Sequence, residues 1–271
     1  MTVSLHQHTI HYHRFGSGPV PMVCLHGYGE NGKSFEDLGA AFRESHTLIC
    51  PDLPLHGHTQ WLEGQFHPGD LDSLITTLLE AGGFASGKFV LAGYSMGGRL
   101  ALAYAEHFSQ KLEGLLLIAP DGLKVNKWYW LATQTSMGNR FFKFTMHHPQ
   151  WFFNGMTLAR KAGLLNQSIY KFAHHYLDDP LARKQLYERW TLMRRFKPDL
   201  NAIREKLNLQ QIPLLLVFGK HDRIIVTGPG KRFMQGIGKN ANLLVLEAGH
   251  RLLRPNFCTI IAASFQSLEQ P

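Results

Sequence analysis

Short runs of apolar residues alternate along this chain with stretches in which apolar residues recur every three or four positions. VPMVCL (Val20 to Leu25) is almost wholly apolar and ends at His26-Gly27, the pattern of a strand buried on both faces. Residues 32–44 then carry Phe35, Leu38 and Phe42 on one predicted helix face. HTLICPD (His46 to Asp52) predicts a second strand. Asp70 to Ala81 predicts a helix, with Leu71, Leu74, Leu78 and Leu79 at core spacing. KFVLAG (Lys88 to Gly93) predicts a third strand that runs straight into Tyr94-Ser95-Met96, followed by a helix to about Phe108. GLLLIAP (Gly114 to Pro120) predicts a fourth.

The alternation then stops for roughly eighty residues of basic, aromatic, mostly helical pattern. PLLLVFG (Pro213 to Gly219) and NLLVL (Asn242 to Leu246) resume the strands, and Asn256 to Leu268 predicts a closing helix. Regular strand–helix alternation implies parallel strands joined by right-handed crossovers. The expected organisation is therefore one core, residues 1–121 and 207–271, with an insertion at 122–206. The insertion leaves the C-terminal edge of a parallel sheet, where such sheets bind ligands, so it is expected to be a helical cap.

Composition refines this picture. The chain has 271 residues, 44% hydrophobic and 18% charged, which suits one α/β core with an inserted lobe. No apolar run is long enough to span a bilayer, and the first residues lack the basic-then-apolar order of a secretory signal. Cys24, Cys50 and Cys258 lie far apart, and reduced buried thiols in a cytoplasmic protein are expected. The net charge of +8 is uneven: Gly122 to Lys206 holds 15 Lys and Arg against 5 Asp and Glu, with 15 of the 31 aromatics. No nucleic-acid-binding motif accompanies that charge, so nucleic acid is not an expected partner. His147-His148 and His174-His175 are adjacent pairs, which a helix points about 100° apart, so no metal site is expected of them.

The chemistry centres on Gly93-Tyr94-Ser95-Met96-Gly97-Gly98, placed between a predicted strand and a predicted helix. A sharp strand-to-helix turn crowds its backbone, and glycines two before and two after the serine relieve the crowding. Ser95 is the candidate nucleophile. A serine hydroxyl needs a base, and His250, after the last strand in Glu247-Ala-Gly-His250, is the candidate; His221 is weaker. Asp222, after PLLLVF, is the candidate acid that orients the histidine, with Asp121 as its rival. The developing oxyanion needs donors: the Met96 amide directly after the nucleophile, and the Tyr28 amide in the His26-Gly27-Tyr28-Gly29 loop. His26 is expected to brace that loop.

The set His26-Gly27, Asp52-Leu-Pro-Leu-His56-Gly57-His58, Gly93-x-Ser95-x-Gly97, Gly219-x-x-Asp222 and Gly249-His250 resembles the serine branch of the α/β-hydrolase superfamily. The resemblance covers the chain outside the insertion. It implies a mostly parallel eight-stranded sheet with helices on both faces and a cap. Leu55 departs from the pattern, since the family often has glycine there. The resemblance implies a carboxylesterase- or lipase-like activity through an acyl-Ser95 intermediate, with no cofactor and no metal. Other branches stay open. Carbon–carbon hydrolases often look like Gly-Asn-Ser-Met-Gly-Gly with tryptophan after the histidine, where this chain has Tyr94 and Arg251. Menaquinone-pathway synthases are similar at Gly93 to Arg99 and act on an anionic substrate; Arg99 would meet its carboxylate, although pairing with a local acid is the simpler expectation. Ligand receptors of this fold commonly lack a triad member. Arg99, Tyr94 and Trp128 are the candidate substrate contacts. The expected partner is a small molecule with an apolar portion, and the basic charge suits an anionic group on it or an anionic surface, without stable membrane insertion.

Overall fold

In the computed structural model the described residues are 1–62, 64–84, 87–124, 127–163, 170 and 177–269. Eight strands form one sheet: β1 (Thr2–Leu5), β2 (His8–Phe15), β3 (Val20–Leu25), β4 (His46–Pro51), β5 (Phe89–Tyr94), β6 (Leu112–Ile118), β7 (Leu214–Gly219) and β8 (Ala241–Leu246). Their order is β1-β2-β4-β3-β5-β6-β7-β8. The pairs β1–β2 and β2–β4 are antiparallel and all others parallel. The helices are α1 (Glu36–Ala41), α2 (Pro68–Ala81), α3 (Met96–Phe108), α4 (Lys127–Gln134), α5 (Ser136–His147), α6 (Gln150–Lys161), α7 (Pro180–Leu192), α8 (Leu200–Leu209), α9 (Thr227–Met234) and α10 (Pro255–Glu269).

The two-residue period of the central strands sorts side chains between two layers. Met22, Cys24, Leu48, Cys50, Val90, Ala92, Tyr94, Leu116, Ile118, Leu215 and Val217 pack with Phe35, Leu38 and Phe42, which lie before, within and just after α1, and with Cys258, Ile261 and Phe265 of α10. All three cysteines are free and buried. The alternate residues, among them Leu25, Leu91, Leu117 and Leu216, are equally buried. On that side α3 packs against β3, β5 and β6, with α2 and α8 against α3.

Three details depart from the sequence reading. β1 and β2 form a hairpin that the apolar runs did not announce, because polar histidines alternate there with buried Ile10 and Tyr12. The helix expected over 32–44 is a 3₁₀ turn, Gly32–Phe35, followed by the short α1. The Asn31 side chain accepts from the Lys33 amide and caps that turn. The chain also divides into two compact units, Met1–Lys124 with Arg195–Pro271, and Val125–Arg194. The second unit is shorter than the 122–206 block. Its missing end is α8, which buries Ile203 and Leu207 in the first unit, where the Asp199 amide donates to Glu106 (2.8 Å).

Within the second unit Tyr129 and Phe142 pack on the Trp190 ring at 5.2 and 5.6 Å, and the buried Arg183 donates from Nε to the Met146 carbonyl at 2.9 Å. Trp130, Phe141, Phe144 and Trp151 remain exposed. Among the described residues no helix is long and apolar enough to cross a membrane.

The junction of β5 with α3 is the tightest point of the core. A methyl group on Gly97 would stand 1.9 Å from the Leu25 carbonyl oxygen, and one on Gly93 would stand 2.6 Å from the Gly97 oxygen. Both obstacles are backbone, which cannot rotate away. Gly97→Ala is therefore expected to lose about 2 kcal/mol or more of stability, measured as a lower urea midpoint at unchanged slope.

Candidate active site

Six loops meet at the C-terminal ends of the parallel strands. Ser95 follows β5 with φ 52° and ψ −114°, a left-handed backbone that a non-glycine residue adopts only under constraint. The constraint is visible: the Ser95 amide donates to the Ile118 carbonyl (3.0 Å), and its carbonyl accepts from the Gly98 and Asp121 amides (2.9 Å each). The strained turn leaves Ser95 half-buried at the N-terminus of α3. Met96 is the first residue of that helix, so its amide has no acceptor within the helix and adds to the positive end of the dipole.

His250 stands between Ser95 and Asp222. Its Nε2 lies 3.2 Å from Ser95 Oγ and its Nδ1 lies 2.7 Å from Asp222 Oδ2. Asp222 is buried, and its Oδ1 accepts from the Ile224 and Ile225 amides at 2.8 and 3.0 Å. These bonds fix the carboxylate so that its second oxygen faces the imidazole. In this geometry the Nδ1 proton belongs to the bond with Asp222, which leaves Nε2 as an acceptor toward Ser95. The rival acid is elsewhere: Asp121 Oδ2 lies 3.4 Å from Arg99, and its Oδ1 accepts from the Gly122 amide. His221 is exposed and paired with Glu247 at 3.0 Å.

The candidate substrate contacts fall differently. Arg99 is buried and pairs with Asp121. Tyr94 packs in the apolar layer and is 3% exposed. Its hydroxyl donates to the His250 carbonyl at 3.0 Å, and the two rings lie 5.4 Å apart. Burial, with the Glu30 and Asp222 charges near it, pushes the Tyr94 phenol well above its usual range, so it stays a donor. Its place in the core corrects the expectation of a substrate contact; Tyr94 instead ties the His250 loop to the sheet. Trp128 lies in α4, and its side chain is outside the described residues. His174-His175 also lies outside them, while His147 and His148 are exposed.

The loops after β3 and β4 brace each other. His26 Nδ1 meets the Gly27 carbonyl at 2.8 Å, and its Nε2 accepts from the Leu53 amide at 2.9 Å. This holds the backbone that carries Tyr28. Asp52 accepts from the Gly32 amide (2.8 Å), the His58 amide (2.9 Å) and His11 Nδ1 (2.9 Å). Burial works against the Asp52 carboxylate, but these hydrogen bonds outweigh it and hold its pKa below the usual carboxylate range. Gly57 wraps so closely that a methyl group there would meet Asp52 Oδ2 at 2.1 Å. Ring nitrogens of His11 and His13 and the Asp52 carboxylate lie within 4.8 Å of one another, close enough for a cation. The carboxylate is already engaged by two amides, and the cluster acts as a brace between the hairpin and both loops. Leu55, the residue that departs from the family pattern, has φ 63°, a left-handed value that glycine adopts without strain.

The fold and this arrangement define a family. The model of the alpha/beta hydrolase fold matches residues 20–253, and the chain belongs to that family. Among its relatives, the dihydrolipoyllysine-residue acetyltransferase component of the acetoin cleaving system of Pseudomonas putida is 30% identical over 252 residues, 87% of this chain. The match spans only 60% of that protein's length. A pimeloyl-[acyl-carrier protein] methyl ester esterase of Wigglesworthia glossinidia brevipalpis is 27% identical over 257 residues, 91% of this chain and 93% of that one. Among solved structures, a thermophilic esterase from Thermogutta terrifontis shares the fold across both whole chains, with a TM-score of 0.71 at 17% identity.

Removing the Tyr94 hydroxyl leaves the His250 carbonyl without that donor. Tyr94→Phe is expected to lower stability by about 1 kcal/mol in chemical denaturation, with the fold retained.

Proposed function

We propose that this protein is a serine hydrolase that cleaves a carboxylic ester, or a related acyl bond, through an acyl-Ser95 intermediate. The carrying observation is the continuous chain from Ser95 Oγ to His250 Nε2 (3.2 Å) and from His250 Nδ1 to Asp222 Oδ2 (2.7 Å). Ser95 Oγ attacks the carbonyl carbon while His250 takes its proton. Asp222 holds the imidazole in the required tautomer and stabilises the imidazolium. The Met96 and Tyr28 amides receive the oxyanion. Collapse of the tetrahedral intermediate expels the alcohol, which takes the proton from His250. Water then attacks the acyl-enzyme by the same route and releases the acid.

Relatives named as methyl ester esterases support an ester as the bond cleaved. The basic, ring-rich 122–206 block supports a substrate with an apolar portion and an anionic group. Arg99, engaged by Asp121, is assigned a structural role, which argues for hydrolysis over elimination from an anionic precursor. We place the enzyme in the cytoplasm, in keeping with its buried thiols.

A fluorophosphonate probe is expected to label the wild type and to leave Ser95→Ala unlabelled; labelling that survives the substitution removes Ser95 from the mechanism. In p-nitrophenyl ester turnover, Asp222→Asn is expected to reduce kcat by about 10³–10⁴-fold. Asp121→Asn should stay close to wild type, and the reverse ranking would exchange the two acids.

A further inference from the structure

Helix α5 carries apolar side chains on two sides. Its inner side is packed: Phe142 meets the Tyr187 and Trp190 rings at 5.5 and 5.6 Å, and Met146 is buried. A helix turns about 100° per residue, so Met137, Phe141 and Phe144 share an arc of about 60° on the other side. They are 81, 56 and 52% exposed. Lys143, His147 and Arg140 fall on the arc beside them, and all three are exposed. The face continues onto α6, none of whose 12 residues is buried. The Trp151 ring lies 5.1 Å from Phe141, and Leu158, on the same side of α6 as Trp151, is 70% exposed. From Gly122 to Leu177 the sequence holds seven Lys and Arg and no Asp or Glu.

We propose that this face of α5 and α6 docks on the surface of a lipid bilayer with anionic headgroups. Phe, Met, Trp and Leu left in water on adjoining helices mark an interaction surface. A bilayer offers two chemistries in a fixed order, an anionic headgroup layer over an apolar interior. The face has the matching order, with apolar side chains at its centre and cations along one edge. A second copy of the chain fits less well. A two-fold contact through these rings would bring together two clusters of cations, with no acid in either segment to offset them. An acidic protein would satisfy the cations and leave the rings without an apolar partner. The contact is peripheral: the rings reach the boundary between headgroups and acyl chains, and no helix among the described residues is long and apolar enough to cross. The proposal stands on the inserted unit alone and does not depend on the roles of Ser95, Asp222 and His250.

The test is flotation of the full chain with two kinds of vesicle, phosphatidylcholine alone and phosphatidylcholine mixed with phosphatidylglycerol. The chain is expected to float with the mixed vesicles, to stay behind with the neutral ones, and to be released as added salt screens the charges. Phe141→Ser combined with Phe144→Ser is expected to weaken binding about tenfold or more, with the wild-type melting transition kept because both rings are half in water. Arg140→Gln and Lys143→Gln are each expected to weaken it about fivefold. These two decide the matter if the ring variant loses its fold. A wild type that stays behind with the mixed vesicles overturns the proposal. So does a ring variant that is folded and floats as well as wild type, which would leave charge alone, as an acidic protein would read it. A wild-type dimer that becomes a monomer in the ring variant gives the face to a second copy and overturns it as well.

Discussion

The close approach of α3 to the end of β3 is the constraint on which the site depends. Gly97 sits so near the Leu25 carbonyl that no side chain fits, and Gly93 is packed as tightly against the same turn. With the helix pinned there, the chain between β5 and α3 has one residue in which to reverse direction. Ser95 absorbs that turn in a left-handed conformation, held by three backbone hydrogen bonds. The same approach brings the start of α3 beside the His26-Gly27-Tyr28 loop. The position of the serine and of the amides around it is thus decided by backbone packing rather than by side-chain contacts.

A second tier of contacts fixes the side chains that face Ser95. The Asp222 carboxylate is aimed by the Ile224 and Ile225 amides. The His250 loop is tied down by Tyr94. His26 and Asp52 join the β3 and β4 loops to each other and to the N-terminal hairpin. Most of these bonds have a backbone group at one end, so they hold loops in place without competing for the groups that would meet a substrate.

The strands from β3 onward were legible because buried parallel strands write themselves as apolar runs. The candidates Ser95, Asp222 and His250 each follow such a run, which is what nominates them from the sequence. The hairpin was hidden by its histidines. Basic and aromatic composition continues to Lys206, while burial of Phe196, Ile203 and Leu207 returns the chain to the core earlier, so composition and burial mark different ends. Tyr94 shares a face with Val90 and Ala92, and because β5 is buried on both faces its parity alone does not tell core from site.

The two segments of the first unit that flank the inserted unit lie side by side. A methyl group on Gly122, where the chain leaves β6, would stand 3.2 Å from the Pro198 ring, where the chain returns toward α8. A lobe that departs and comes back at one point places no demand on the spacing of the sheet. Lineages can lengthen, shorten or exchange such a lobe while every strand keeps its register.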